Sequence, residues 1–403
     1  MKIVIVTTEY TTGSMGGVAS VVNFLIAAIR RLTDWDMEVA SLRMSRRAVE
    51  SRRLLAPRSW VRSARTSTRE VDGVTVHNVG SALGEVEASR FMPRPWLDLV
   101  LEGADVVVVV SGTPALCNAV RNVSVPVVLQ VATLVKFERM GQNAVLRGPQ
   151  SLYRRLTTRL TGRLDEAGLT IPGQILVENN LMLAECEQRG LNQVSLCPPG
   201  VDTEFFVPNA SKQNKPYILM VARLSDARKN VSGLVEAYAE ARAEHGLTQD
   251  LILAGASQPD PETLLLIQNL GMASFIRIHS PVAQGELLSL YQGADLFVSA
   301  SLEEGLGLTF LEAMSCGIPV IASNTAGATF VMGPALAGAL VAHGPGFTNR
   351  FALEIARWCS DSELRAAGGS VARARVVGVF SEQIAAQQFV DVIAKAGINH
   401  GQL

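Results

Sequence analysis

The chain has 403 residues, 48% hydrophobic and 18% charged, with a formal net charge of −1. The length exceeds one ordinary core and predicts two domains of about 200 residues, while the composition excludes a disordered chain and the small charge excludes a global field that recruits nucleic acid. The five cysteines, Cys117, Cys186, Cys197, Cys316 and Cys359, are scattered without a CxxC spacing, which argues against a disulfide framework or zinc site and for buried thiols in a reducing cytosol.

The opening MKIVIVTTEY predicts a β-branched strand from Lys2 to Thr7 with no cleavage-site pattern. No apolar run approaches the roughly 20 residues that span a bilayer, so the expectation is a soluble cytoplasmic protein, at most peripheral at the inner face of a membrane. A polar glycine loop follows from Thr11 to Gly17, and apolar residues at helical spacing from Val18 to Leu32. Asp34, Trp35 and Asp36 form a DxD that reads as a solvated turn, and His77, His245, His279, His343 and His400 show no ligand spacing, so no metal site is expected. Between Arg43 and Arg69 nine arginines face the single acid Glu50. That segment reads as a solvated loop, or as a docking surface for an anionic acceptor or acidic lipid head groups.

Asp105 to Ser111, Val125 to Val131 and Ile175 to Val177 are short apolar runs separated by helical stretches. The alternation predicts a parallel sheet covered on both faces, with ligands at the C-terminal strand ends. Those ends carry Gln130, Glu178 and Asn179, candidates for acceptor contacts; Glu178 and the two asparagines after it could equally cap the next helix. Leu152, Leu156, Leu160 and Leu164 recur beside Arg155, Arg159 and Arg163, an amphipathic basic helix of a kind more often core-facing than membrane-bound. The segment CPPGVDTEFFVP marks a domain boundary after Cys197. Tyr217 to Leu224 then opens a second α/β domain, followed by a turn holding Arg223 and Lys229 at its two sides and a helix from Val231.

Leu296 to Ser323 reads as strand, loop, helix, turn and second strand. Gly305, Leu306 and Gly307 form a relaxed loop, Leu308 to Ser315 is free of Gly and Pro, and Gly317 and Pro319 stop the helix. Free N–H groups near Leu308, Thr309 and Phe310 would then lie at the positive end of the helix dipole, a phosphate-binding arrangement. Glu304 precedes the helix and Glu312 lies three residues after Thr309 on the same face. Carboxylates accept hydrogen bonds from sugar hydroxyls, so the ligand that suits the stretch carries phosphate beside hydroxyls, as a nucleotide sugar does.

Glu304 and Glu312 in EGLGLTFLEAM resemble the paired-glutamate signature of GT-B retaining glycosyltransferases of family 4. The GGV at Gly16 and Gly17, CPPGVDTEFFVP, RLSDARKN and FSEQIAAQQFVDVIA are similar to that family's segments as well. The resemblance implies an α/β GT-B fold, two Rossmann-like doubly wound domains facing a central cleft, with an acceptor-side domain over 1–197, a donor domain over 198–380 and a helix over 381–403 packing back on the first. It further implies transfer of a sugar from a nucleoside diphosphate sugar, UDP foremost, to a hydroxyl of a glycan, lipid-linked or small-molecule acceptor, with retention by same-face displacement. In that reading Arg223 and Lys229 grip the diphosphate, Glu304 takes the sugar hydroxyls and Glu312 the ribose. Gly16 and Gly17 admit the donor phosphate, and neither metal nor other cofactor is needed. Three departures stand out: Ala132 occupies the place of the family's histidine, Glu178 that of its serine, and NTAGATFVMG that of its diglycine and acid. They leave open a catalytically silent nucleotide-sugar-binding partner subunit, and a GT-B sugar-nucleotide epimerase shares the fold. An NAD-dependent dehydrogenase lacks its fingerprint here. Choice of base, sugar and acceptor is expected from the loops Arg43 to Arg69, Lys136 to Arg147 and Ala256 to Glu262.

Overall fold

The computed structural model describes every residue except 12–15, 45–47, 52–64, 82–85, 141–148, 210–214, 335–336 and 401–403. Much of the arginine-rich segment, the middle of the Thr11 to Gly17 loop, the whole second half of the Lys136 to Arg147 loop and the Leu152 side chain therefore lie outside the described residues. The chain divides into two compact units, Met1–Pro199 with Ala385–Leu403, and Gly200–Ile384.

Unit 1 runs β1 (Lys2–Thr8), α1 (Gly17–Leu32), β2 (Asp36–Leu42), β3 (Thr66–Val71), β4 (Val74–Val79), α2 (Pro95–Leu101), β5 (Val106–Ser111), β6 (Val127–Val131), α3 (Val135–Glu138), α4 (Pro149–Leu169), β7 (Gln174–Val177), α5 (Asn180–Gln188) and β8 (Val194–Leu196). The strand order is β3-β4-β2-β1-β5-β6-β7-β8, parallel throughout except where β3 meets β4. Every residue of β5 and β6 is buried, as expected of valine-rich strands covered on both faces. β3 and β4 form a hairpin on Asp72 and Gly73, both at positive φ (48° and 72°), the backbone such two-residue turns require. Asp36, expected in a solvated turn, instead opens β2, and its Oδ1 accepts the Met37 N–H at 2.9 Å.

Unit 2 continues with β9 (Tyr217–Val221), α6 (Val231–His245), β10 (Asp250–Ala254), α7 (Pro261–Asn269), β11 (Ile276–His279), α8 (Gln284–Gly293), β12 (Leu296–Ser299), α9 (Leu308–Ser315), β13 (Val320–Ser323), α10 (Ala326–Met332), β14 (Gly338–Val341), α11 (Phe347–Ser360) and α12 (Ser362–Val379). The final helix α13 (Glu382–His400) carries the chain back into unit 1, where Phe389 and Ile393 join Val22, Leu25 and Ile29 in one apolar cluster. The second sheet is wholly parallel in the order β11-β10-β9-β12-β13-β14. Its order reverses between β9 and β12, and open α/β sheets bind ligands at the carboxyl ends beside such a reversal. The loops leaving β9 and β12 carry Arg223, Lys229 and Glu304.

All five cysteines are buried thiols outside any disulfide. Among the described residues, no helix is long and apolar enough to cross a membrane.

Candidate functional site

The loop after β12 is shaped by two glycines. Gly307 has φ 88°, and a Cβ there would lie 2.5 Å from the Phe310 ring, so both backbone and space demand glycine at the start of α9. Gly327, in the first turn of α10, donates its N–H to the Glu304 carbonyl at 3.0 Å. A Cβ on Gly327 would lie 2.7 Å from the Leu306 carbonyl and 2.8 Å from that of Glu304. The NTAG segment, which lacks the expected diglycine, thus still supplies a glycine where α10 meets this loop. Leu306 is buried, so its side chain belongs to the core and only its backbone faces the loop. One expectation needs correction: the Phe310 N–H is bonded to the Gly307 carbonyl at 2.9 Å, because the first turn of α9 closes tightly. Among the described residues, Leu308 and Thr309 keep N–H groups without a backbone acceptor.

The charged side chains converge on the same loop. Lys229 Nζ lies 2.5 Å from Glu304 Oε1, with the two side chains only 16% and 12% exposed. Ser301 Oγ donates to the same oxygen at 3.0 Å. Asn230, in the left-handed region at φ 48°, sends Nδ2 to the Ala300 carbonyl at 3.1 Å and so ties the turn after β9 to the end of β12. Arg223 is half exposed and pairs with Asp226 at 3.0 Å. Burial alone would raise the Asp226 carboxyl; hydrogen bonds and charge from Arg228, with help from Arg223, hold it below its ordinary range. Arg228 also reaches Glu303 at 3.4 Å, and its carbonyl accepts the Leu302 N–H at 2.7 Å. Asp226, Arg228 and Glu303 were not singled out from sequence, although the alternating charges of SDARKN facing the acids of LEEG were a usable signal.

Glu312 lies one turn into α9. Its Oε2 accepts from the Tyr291 hydroxyl at 2.5 Å. Burial pushes the carboxyl up to about 7, and the tyrosine hydrogen bond opposes part of that rise. Burial, then the Glu312 charge, drives the Tyr291 phenol well above its ordinary value. Tyr291 is fully buried and meets Phe206 edge to face at 5.8 Å, so its hydroxyl is held by packing as well as by the carboxylate. No sequence pattern marked Tyr291, which sits in the apolar stretch of α8.

In unit 1, Gly16 and Gly17 begin α1, and nothing lies within 4 Å of where a Cβ would stand on either. Gln130, Ala132, Glu178 and Asn179 gather at the carboxyl ends of β6 and β7. Gln130 Nε2 donates to the Cys197 carbonyl at 3.3 Å and to Glu178 Oε1 at 3.4 Å, while its buried Oε1 has no partner. Asn179 caps α5 by accepting the Met182 N–H at 2.9 Å, and its Nδ2 donates to the Ala132 carbonyl at 3.4 Å. Sequence reading missed Asp165: from α4 it accepts the Ala115 N–H at 3.0 Å and the Val135 N–H at 2.8 Å, fastening the turns after β5 and β6. Burial raises its carboxyl to about 6.

Glu240, Glu244 and His245, in the last two turns of α6, place possible ligand atoms within 4.8 Å of one another. This group sits at the opposite end of α6 from Lys229, and Glu240 already accepts from Asn349 Nδ2 at 2.7 Å.

Residues 201–375 match the family described as Glycosyl transferases group 1. The MMP alpha-(1->4)-mannosyltransferase of Mycolicibacterium hassiacum is 33% identical over 205 residues, covering 51% of this chain and 49% of that protein. The chain thus spans about half the length of that curated relative. Among solved structures, sucrose-phosphate synthase from Thermosynechococcus elongatus superposes with a TM-score of 0.73 at 20% identity over 98% of both chains. Anabaena HepE in complex with UDP and glucose gives 0.69 at 16% identity over 97% of this chain and 99% of its own. These likenesses extend over nearly the whole chain and show the GT-B fold.

Proposed function

We propose that this chain, a member of the glycosyl transferases group 1 family through residues 201–375, is a retaining family 4 enzyme that moves a hexose from a nucleoside diphosphate sugar to an acceptor hydroxyl. The observation that carries the reading is the Lys229–Glu304 pair, held beside the Gly307-opened start of α9 where the strand order reverses. A largely buried cation, a largely buried carboxylate and a helix start match a diphosphate joined to a sugar. UDP is the first nucleotide to test, because the HepE structure holds UDP and glucose.

In this reading the donor diphosphate sits on the Leu308 and Thr309 N–H groups, with Arg223 and Lys229 as counter-charges. Glu304 takes the sugar hydroxyls and Glu312 the ribose hydroxyls. As the anomeric bond breaks, negative charge grows on the departing diphosphate, and groups already in place stabilise it without reorganising. A phosphate oxygen of that leaving group takes the acceptor proton, and the new glycosidic bond forms on the face that the diphosphate leaves. Acceptor contacts are assigned to Gln130, Ala132, Glu178 and Asn179. Chemistry at this centre needs no protein nucleophile, and the two cations supply the charge that a metal ion would otherwise provide.

The test is turnover of a nucleotide-sugar panel, scored as transfer or donor hydrolysis. Loss of one charge-stabilising group costs on the order of 10² to 10³ in kcat, so Lys229→Ala and Arg223→Ala are each expected to lose about that much while the fold is retained. Wild-type rates in both variants would refute the mechanism.

A further inference from the structure

α4 has two sides with different fates. One is fastened to unit 1: Thr161, Asp165, Gly168 and Leu169 are buried, a Cβ on Gly168 would lie 2.1 Å from the Pro114 carbonyl, and Asn118 Nδ2 donates to the Leu164 carbonyl at 2.8 Å. The other carries Arg155, Leu156, Arg159, Leu160 and Arg163, all exposed, with Leu156 65% and Leu160 46% accessible. At about 100° per residue these five occupy an arc of about 140°, a single face. None of the three arginines has an acidic partner among the described residues. In a chain of net charge −1 this is a local concentration of cations, interleaved with leucines that a purely solvated face would not expose together.

A partner for that face must be anionic at the level of the guanidinium groups and apolar just beneath. Arginine stems reach along apolar surface while their heads stay at the polar level, so the two requirements lie at different depths rather than side by side. We propose that this face of α4 docks on an anionic lipid surface, Leu156 and Leu160 entering the boundary between head groups and acyl chains and Arg155, Arg159 and Arg163 pairing with lipid phosphates. The helix is anchored in the fold, so it is already ordered when it meets the surface and does not have to fold there. The proposal rests neither on the Arg43 to Arg69 segment nor on the transferase reading.

The experiment is co-sedimentation of the full chain with vesicles of phosphatidylcholine alone and of phosphatidylcholine mixed equally with phosphatidylglycerol. Binding is expected only to the mixed vesicles, and to weaken as salt screens the charges. Each arginine near such a surface contributes roughly fivefold, so the triple change Arg155→Gln, Arg159→Gln and Arg163→Gln should lower partitioning by about a hundredfold. The double change Leu156→Ser and Leu160→Ser should also abolish stable binding, and both variants should melt like wild type because the altered side chains are exposed. Failure of the wild-type chain to bind mixed vesicles would overturn the proposal and leave a protein partner as the occupant of the face. Full binding retained by either variant would overturn it too, moving the contact to another segment.

Discussion

At the scale of single residues, the site combines a largely buried ion pair with a carboxyl enclosed by the core. Lys229 and Glu304 neutralise each other at 2.5 Å with little exposure, so removing one leaves the other desolvated without its charge partner. Glu312 is governed by burial instead. Its carboxyl rises from an ordinary 4.5 to about 7, so the folded chain holds this proton more tightly than the unfolded one. Over that interval the native state binds more protons, and the contribution of Glu312 to stability is greatest below its unfolded value and declines as pH rises through its folded value. Glu312→Gln removes the buried charge and keeps an acceptor for the Tyr291 hydroxyl. It should therefore melt higher than wild type at about pH 8, with the difference vanishing near about pH 4.5, while binding nucleoside diphosphate more weakly. A variant that melts lower at the alkaline end would show that the carboxylate stabilises the apo fold, contrary to this account.

At the scale of elements, the Glu304 loop depends on α10 pressing close. Gly327→Ala would place a methyl within 2.8 Å of two backbone carbonyls in that loop, and backbone cannot rotate away as a side chain can. The expected result is a loss of about 1–3 kcal/mol in stability together with weaker nucleotide binding, read by thermal melting and titration; normal stability and affinity would mean that the loop yields freely. The strands and the glycine-opened helix α9 were legible in the sequence because their signals are local: β-branched runs, relaxed glycines and a stop at Gly317 and Pro319. The β3–β4 hairpin carried an equally local Asp-Gly signal at Asp72 and Gly73, but the adjoining arginine-rich stretch drew the reading toward a loop. What could not be read was side-chain partnership across distance. Tyr291 meets Glu312 from 21 residues away, Asp165 grips backbone 30 and 50 residues away, and Arg228 reaches Glu303 across 75. Periodicity reports which face of an element is apolar, not which polar group will be enclosed beside it.

At the scale of the whole molecule, each unit has its own doubly covered sheet, and the chain ends by returning α13 to the core of unit 1. Arg223, Lys229, Glu304, Leu308, Thr309 and Glu312, assigned to the donor, all lie in unit 2, so the central claim can be tested without knowing the acceptor. The most direct measurement is a thermal-shift panel of the full chain with UDP, GDP, ADP, TDP and NAD, since a ligand at about 100 times its Kd adds about 2.7 kcal/mol. The account predicts that one nucleoside diphosphate raises Tm, that NAD does not, and that the shift is lost in Lys229→Ala. A response to NAD alone, or to none of the diphosphates, would contradict the diphosphate site at Lys229, Glu304 and the start of α9.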